Sequence, residues 1–147
     1  MEFQGFEPTI FQFLEQLADN NNRPGFYVHI APEECFLALG VWRPDRSSLT
    51  EIRQAIVDYP DRWRRAREDR KFRERFSPDG DSLKRPPRGF PADHPWIEDL
   101  KRTDFIGLEA LQEQDVLDKR FPDYVASSFT AGRPFMRFLC DALRVPF

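Results

Sequence analysis

Apolar positions recur along this chain with two periods, and the change of period separates helices from strands. Ile10, Phe13, Leu14 and Leu17 share one helical face, with Thr9 and Gln12 in capping-box positions before them. Asn20, Asn21 and Asn22 then stop the helix, because short amides compete for backbone hydrogen bonds and tolerate left-handed turns. Period two follows. Phe26, Val28 and Ile30 alternate with Tyr27 and His29, which predicts a strand with two distinct faces and a half-exposed histidine. Residues 31–34 read as a hairpin connection, and 35–42 as a second, almost wholly apolar strand. Gly40 in that strand marks a bulge or a close backbone approach.

The helical period returns at Leu49, Ile52 and Ile56, with Ser48 and Glu51 as a second capping box. Pro60 suits the first turn of the next segment, which reads as one long or two short helices with Trp63, Ala66, Phe72 and Phe76 as a thin apolar stripe. Residues 77–81, SPDGD, predict a turn. Irregular chain then runs to a short helix beginning near Pro95, and 105–111 reads as extended. Phe121, Val125 and Phe129 mark a helical face that Gly132 and Pro134 interrupt, and Phe135, Phe138, Leu139 and Ala142 resume it. The expected class is α+β, one domain over 1–147, with a small antiparallel sheet or hairpin packed by several helices. The apolar second strand is not expected to be an open edge. Helix cover, pairing with 105–111, or self-association through an uncovered strand edge would each protect it.

Composition narrows the picture. The chain has 147 residues, with 15 phenylalanines, so the core is expected to be ring-rich. Charged residues make up 32% and the net charge is −3, which fits a water-exposed surface. No apolar stretch is long enough to span a bilayer, and the first residues lack the pattern of a secretory signal, so the expectation is a cytoplasmic protein without a membrane partner. Cys35 and Cys140 lie far apart in apolar runs and are expected as buried free thiols. No zinc-type spacing, phosphate-binding glycine loop or nucleophile elbow occurs, so neither a metal nor a cofactor is expected.

The positive chemistry lies in two places. Residues 62–75 carry eight arginines and lysines, among them Arg67 and Arg73, diluted by Glu68, Asp69 and Glu74. This reads as a solvated face with local ion pairs, with nucleic acid as a further partner class. The stretch 84–105, KRPPRGFPADHPWIEDLKRTDF, is denser in unusual residues. Its prolines hold Lys84, Arg85 and Arg88, so ordering them around an anion costs little entropy. Arg43 and Arg23 are expected to converge there from the ends of the strand pair, with Tyr27, Trp42 or Trp96 as an apolar wall. Asp93 and His94 are the weak catalytic candidates, the imidazole handling protons beside a carboxylate. The competing reading makes the stretch a structural strap, with Phe90, Trp96 and Phe105 as pegs and Asp99 and Asp104 paired to nearby lysine or arginine.

The pieces GF…FLEQLADNNNR, PGFYVHIAPEECFLALGVWRPD, LKRPPRGFPADHPWIEDLKRTDF and PFMRFLCDAL together give the chain a resemblance to domain-of-unknown-function family 2461, a conserved hypothetical bacterial family. The resemblance implies an α+β fold and carries no established activity. It also implies a segment absent between Arg23 and Pro24, a helix and basic strands that would neighbour residues 26–30. Three functions stay open: a binding module for an anionic small molecule, a structural or protein-interaction domain, and a hydrolase or transferase using Asp93 and His94.

Overall fold

The computed structural model describes residues 23–147. The helix expected at 9–19 and the Asn20–Asn22 stop lie outside the described residues. The elements run β1 (Gly25–Ile30), β2 (Cys35–Val41), α1 (Arg46–Asp58), α2 (Pro60–Arg67), α3 (Arg70–Arg75), β3 (Ser77–Asp79), α4 (Ile97–Leu100), β4 (Phe105–Leu111), α5 (Glu113–Leu117), α6 (Phe121–Ala131) and α7 (Arg133–Leu143). The class is α+β. The strands form one antiparallel sheet in the order β1-β2-β4-β3.

β2 is the centre of this sheet, which explains its uninterrupted apolar sequence. Leu37, Leu39 and Val41 face the helices, while Phe36 and Ala38 on the opposite face are equally buried. Residues 31–34 close the β1–β2 hairpin through reciprocal backbone bonds between Ala31 and Glu34. The strand predicted at 105–111 is β4, and it pairs along the whole of β2 from Cys35↔Leu111 to Val41↔Phe105. Gly40 is required at the end of that pairing. Its φ is +118°, and a Cβ there would lie 2.0 Å from the Phe105 carbonyl oxygen.

The helical core gathers on Trp63, which is 1% exposed. Its ring centroid lies 6.1 Å from Phe105 of β4 and 6.0 and 5.0 Å from Phe135 and Phe138 of α7. Fully burying a large apolar side chain is worth about 1.5–3 kcal/mol, so this ring cluster anchors α2 and α7 to the sheet. The apolar stripe at 61–76 is correct in all four positions, since Trp63, Ala66, Phe72 and Phe76 are buried. The segment is two helices because Asp69 caps a second one, accepting the Phe72 N–H at 3.1 Å.

Three local expectations need correction. The cap of α1 is Asp45, which accepts the Ser48 N–H at 2.8 Å; a carboxylate two residues upstream outcompetes the Ser48–Glu51 box. Ser77–Asp79 is not a turn but edge strand β3, tolerated there despite Pro78 because its outer side needs no donor. On β1 the faces are reversed from the simple pattern: His29 is buried and stacks on Phe36 at 4.7 Å, whereas Phe26, Val28 and Ile30 are 38%, 40% and 54% exposed. Cys35 is half-buried and Cys140 buried, and both are free thiols.

Two buried carboxylates clamp the periphery of the sheet. Glu109 of β4 accepts the Tyr124 hydroxyl of α6, and this bond, followed by burial, raises the Tyr124 pKa. The Arg75 guanidinium sits 5.0 Å from the Tyr124 ring centroid and donates to Ser128 Oγ at 2.7 Å. Asp104 is the second carboxylate and belongs to the strap described next.

Candidate functional site

The stretch between β3 and β4 is a fastened strap. Asp104 is 1% exposed and accepts two backbone N–H groups, from Arg43 at 2.8 Å and Asp81 at 2.8 Å. Burial pushes its carboxyl pKa up, and the two backbone donors partly oppose that. Leu83 N–H donates to Lys101 C=O, and Thr103 N–H to Asp81 C=O, which close the strap at its base. Arg53 of α1 reaches in from below. Its Nε donates to the Leu100 carbonyl at 2.7 Å, the last of α4, and its Nη2 to the Arg102 carbonyl at 3.1 Å, two residues past the helix.

Beside the strap lies a cleft of about 290 Å³ between α2, α3, β3 and β4. Its floor is aromatic, made by Trp63, Phe72, Phe76, Phe105 and Phe135. Its polar side is Arg67, Arg73, Arg102 and Asp99. Asp99, 2% exposed, organises this side. It accepts the Trp63 indole N–H at 2.9 Å and the Arg102 Nε–H at 3.0 Å, and it forms an ion pair with Arg67, whose Nε lies 2.7 Å away. Both arginines are therefore gripped by Nε alone, and their terminal Nη groups have no hydrogen-bond partner among the described residues. Arg67 is held further by the Trp96 ring, 5.8 Å from its guanidinium carbon. Arg73 is exposed and makes no ion pair among the described residues. With three arginines and one carboxylate lining it, the cleft keeps two uncompensated positive charges.

The local sequence explains why these groups meet. Trp63 and Arg67 are four apart on α2 and share a face; Asp99 and Arg102 are three apart around the end of α4. The indole and the guanidinium of one helix thus converge on the carboxylate of another, while Arg102 folds back onto it. Asp99 was expected to pair with lysine or arginine, and Arg67 and Arg73 stood in the basic run. Arg102 had no signal of its own beyond its spacing from Asp99.

The residues singled out from the sequence lie elsewhere. Lys84, Arg85 and Arg88 are exposed, with no ion pair described, and none of them lines the cleft. Arg43 stacks over Trp42 with its guanidinium carbon 5.3 Å from the ring centroid, and its backbone φ is +48°, a left-handed conformation held by the Asp104 bond. Trp42 is buried, and Tyr27 is half-buried on β1, where burial raises its pKa. No described hydrogen bond joins Asp93 to His94. His94 Nδ1 instead accepts the Trp96 N–H at 3.0 Å, in the turn that starts α4. Trp96 and Phe90 pack partly buried against the core, as pegs of the strap. Among the described residues no group of three or more histidine, cysteine or carboxylate side chains is placed to hold a metal ion, and no helix is long and apolar enough to cross a membrane.

The fold and cleft define an α+β protein with a strapped antiparallel sheet and an arginine-lined aromatic cleft. The family model described as conserved hypothetical protein, DUF2461, matches residues 23–138, and the chain belongs to that family. No curated protein and no solved structure matches it. The matched range starts at Arg23, so the N-terminal residues that contributed to the resemblance fall outside it.

Proposed function

We propose that this protein is a binding module for a small anionic ligand with an apolar, ring-sized body, and that the ligand sits in the cleft beside Asp99. The observation that carries the reading is the side-on grip of Asp99 on Arg67 and Arg102. It fixes two guanidiniums by Nε and leaves their Nη donors for a carboxylate or phosphate, which arginine matches in planar geometry. Pre-ordering both side chains removes part of the entropic cost of binding. The aromatic floor supplies apolar contact for the rest of the molecule, and 290 Å³ suits a head group and about one ring. The anionic ligand expected from the sequence is kept, and its seat moves from the proline-held rim to this cleft. Binding ranks above catalysis because, among the described lining residues, the one carboxylate that could act as a general base is Asp99, and both its oxygens are already engaged.

Phenyl phosphate is a suitable probe, with inorganic phosphate and benzyl alcohol isolating its two halves. The full molecule should raise the melting temperature, and each half should do so far less. Arg73→Glu should weaken phenyl phosphate binding about tenfold or more while leaving the unliganded melting temperature within about 1 °C, because an exposed unpaired side chain contributes little to stability. Equal responses to phenyl phosphate and benzyl alcohol, or unchanged binding in Arg73→Glu, would rule the reading out.

A further inference from the structure

The charge of the cleft, and the directions from which that charge arrives, narrow the kind of anion it fits. Three elements each bring one guanidinium to the lining: Arg67 ends α2, Arg73 lies on α3, and Arg102 follows α4. All three cations are arginines, whose planar forks suit oxyanions better than a lysine point charge does. One carboxylate opposes them. Asp99 holds Arg67 at 2.7 Å and Arg102 at 3.0 Å, in each case through Nε. Three guanidiniums against one carboxylate leave the described lining at +2. The floor beneath is buried aromatic surface, where a charge is screened less than in open water.

Building on the anionic-ligand reading of this cleft, we propose that the group it takes is a phosphomonoester, in preference to a carboxylate, a sulfate ester or a phosphodiester. A phosphomonoester carries about −1.5 to −2 charges near neutral pH and three acceptor oxygens. Both numbers match the lining, +2 in charge and supplied from three sides. A carboxylate has one charge and two coplanar oxygens, which a single guanidinium fork already satisfies. It leaves a positive charge in the cleft without a counter-charge. A sulfate ester offers three terminal oxygens with one charge, and a phosphodiester lacks both the second charge and the third terminal oxygen. A diphosphate overfills the site, since about 290 Å³ holds one head group and roughly one ring.

Calorimetric titration of the full chain with phenyl phosphate, phenyl sulfate and benzoate tests the proposal, at about pH 8, where the phosphomonoester is dianionic. The three probes share a ring. Phenyl sulfate also shares the three terminal oxygens, so it isolates the second charge. Phenyl phosphate should bind about tenfold or more tighter than either monoanion. Arg73 is exposed, so Arg73→Gln keeps the fold and lowers the lining to +1. In that variant the preference for phosphate over sulfate should fall to about threefold or less. Phenyl sulfate or benzoate binding the wild-type chain within about threefold of phenyl phosphate overturns the phosphomonoester assignment and leaves the anionic-ligand reading standing. A preference undiminished in Arg73→Gln also overturns the assignment. The absence of saturable binding by all three probes overturns both.

Discussion

Removing the Asp99 carboxylate tests how the strap and the cleft are held together. In Asp99→Ala the Trp63 indole N–H, 1% exposed as a residue, loses its acceptor, and Arg67 and Arg102 lose the charge between them. An orphaned buried donor costs about 1–3 kcal/mol. Losing one partner of a fully buried ion pair costs about 3–5 kcal/mol. The arginine side chains are 31% and 20% exposed, so water recovers part of the ionic loss. About 3 kcal/mol in total is a reasonable sum, near 9 °C in melting temperature at about 3 °C per kcal/mol for a chain of this size. Asp99→Asn keeps an acceptor for the indole and should lose about half as much. Urea unfolding followed by circular dichroism measures both variants, and a loss below about 0.5 kcal/mol in Asp99→Ala would refute the anchoring role. The same variant should weaken phenyl phosphate binding more than its stability loss accounts for, since the guanidiniums are no longer held.

Other consequences are equally concrete. Gly40→Ala forces a Cβ onto the Phe105 carbonyl at a positive φ in the central strand, and it should cost about 3 kcal/mol or more, read as loss of soluble folded protein or a collapsed urea midpoint. Tyr124→Phe leaves the buried Glu109 without its hydroxyl donor and should cost about 1–3 kcal/mol by the same measurement. Asp104 gives a pH signature. Its folded pKa lies above the unfolded value of about 3.9, so the native state takes up the proton more readily, and this group's contribution improves as pH falls through the raised pKa. The stability of wild type relative to Asp104→Asn should therefore improve as the pH is lowered from neutral into the carboxylate range. A relative stability that falls on acidification would reverse the assignment.

Much of the fold was legible because patterning and burial coincide in it. The apolar run of β2 signalled a strand covered on both sides, and both expected forms of cover occur, helices and pairing with β4. The stripe through Trp63 and Phe76 and the break at Gly132 were likewise local signals of period and propensity. β1 misled because alternation shows that two faces exist and not which is covered. The cleft was harder to see. Prolines and histidine made 84–95 conspicuous, yet the charged groups that line the cleft among the described residues are Arg67, Arg73, Asp99 and Arg102, which sequence separates into two ordinary charged stretches. Only the packing of α4 against α2 brings Asp99 to Trp63, a contact across 36 positions that no local rule encodes.

The most direct test of the ligand site is the indole N–H resonance of Trp63 during a phenyl phosphate titration. The chain has three tryptophans, so Trp63→Phe assigns the peak by its disappearance. The account predicts a saturable shift of the Trp63 signal, which both lines the cleft and donates to Asp99, with the Trp42 signal unmoved. A Trp63 resonance that stays fixed while the probe binds elsewhere, or three indoles drifting together without saturation, would contradict it.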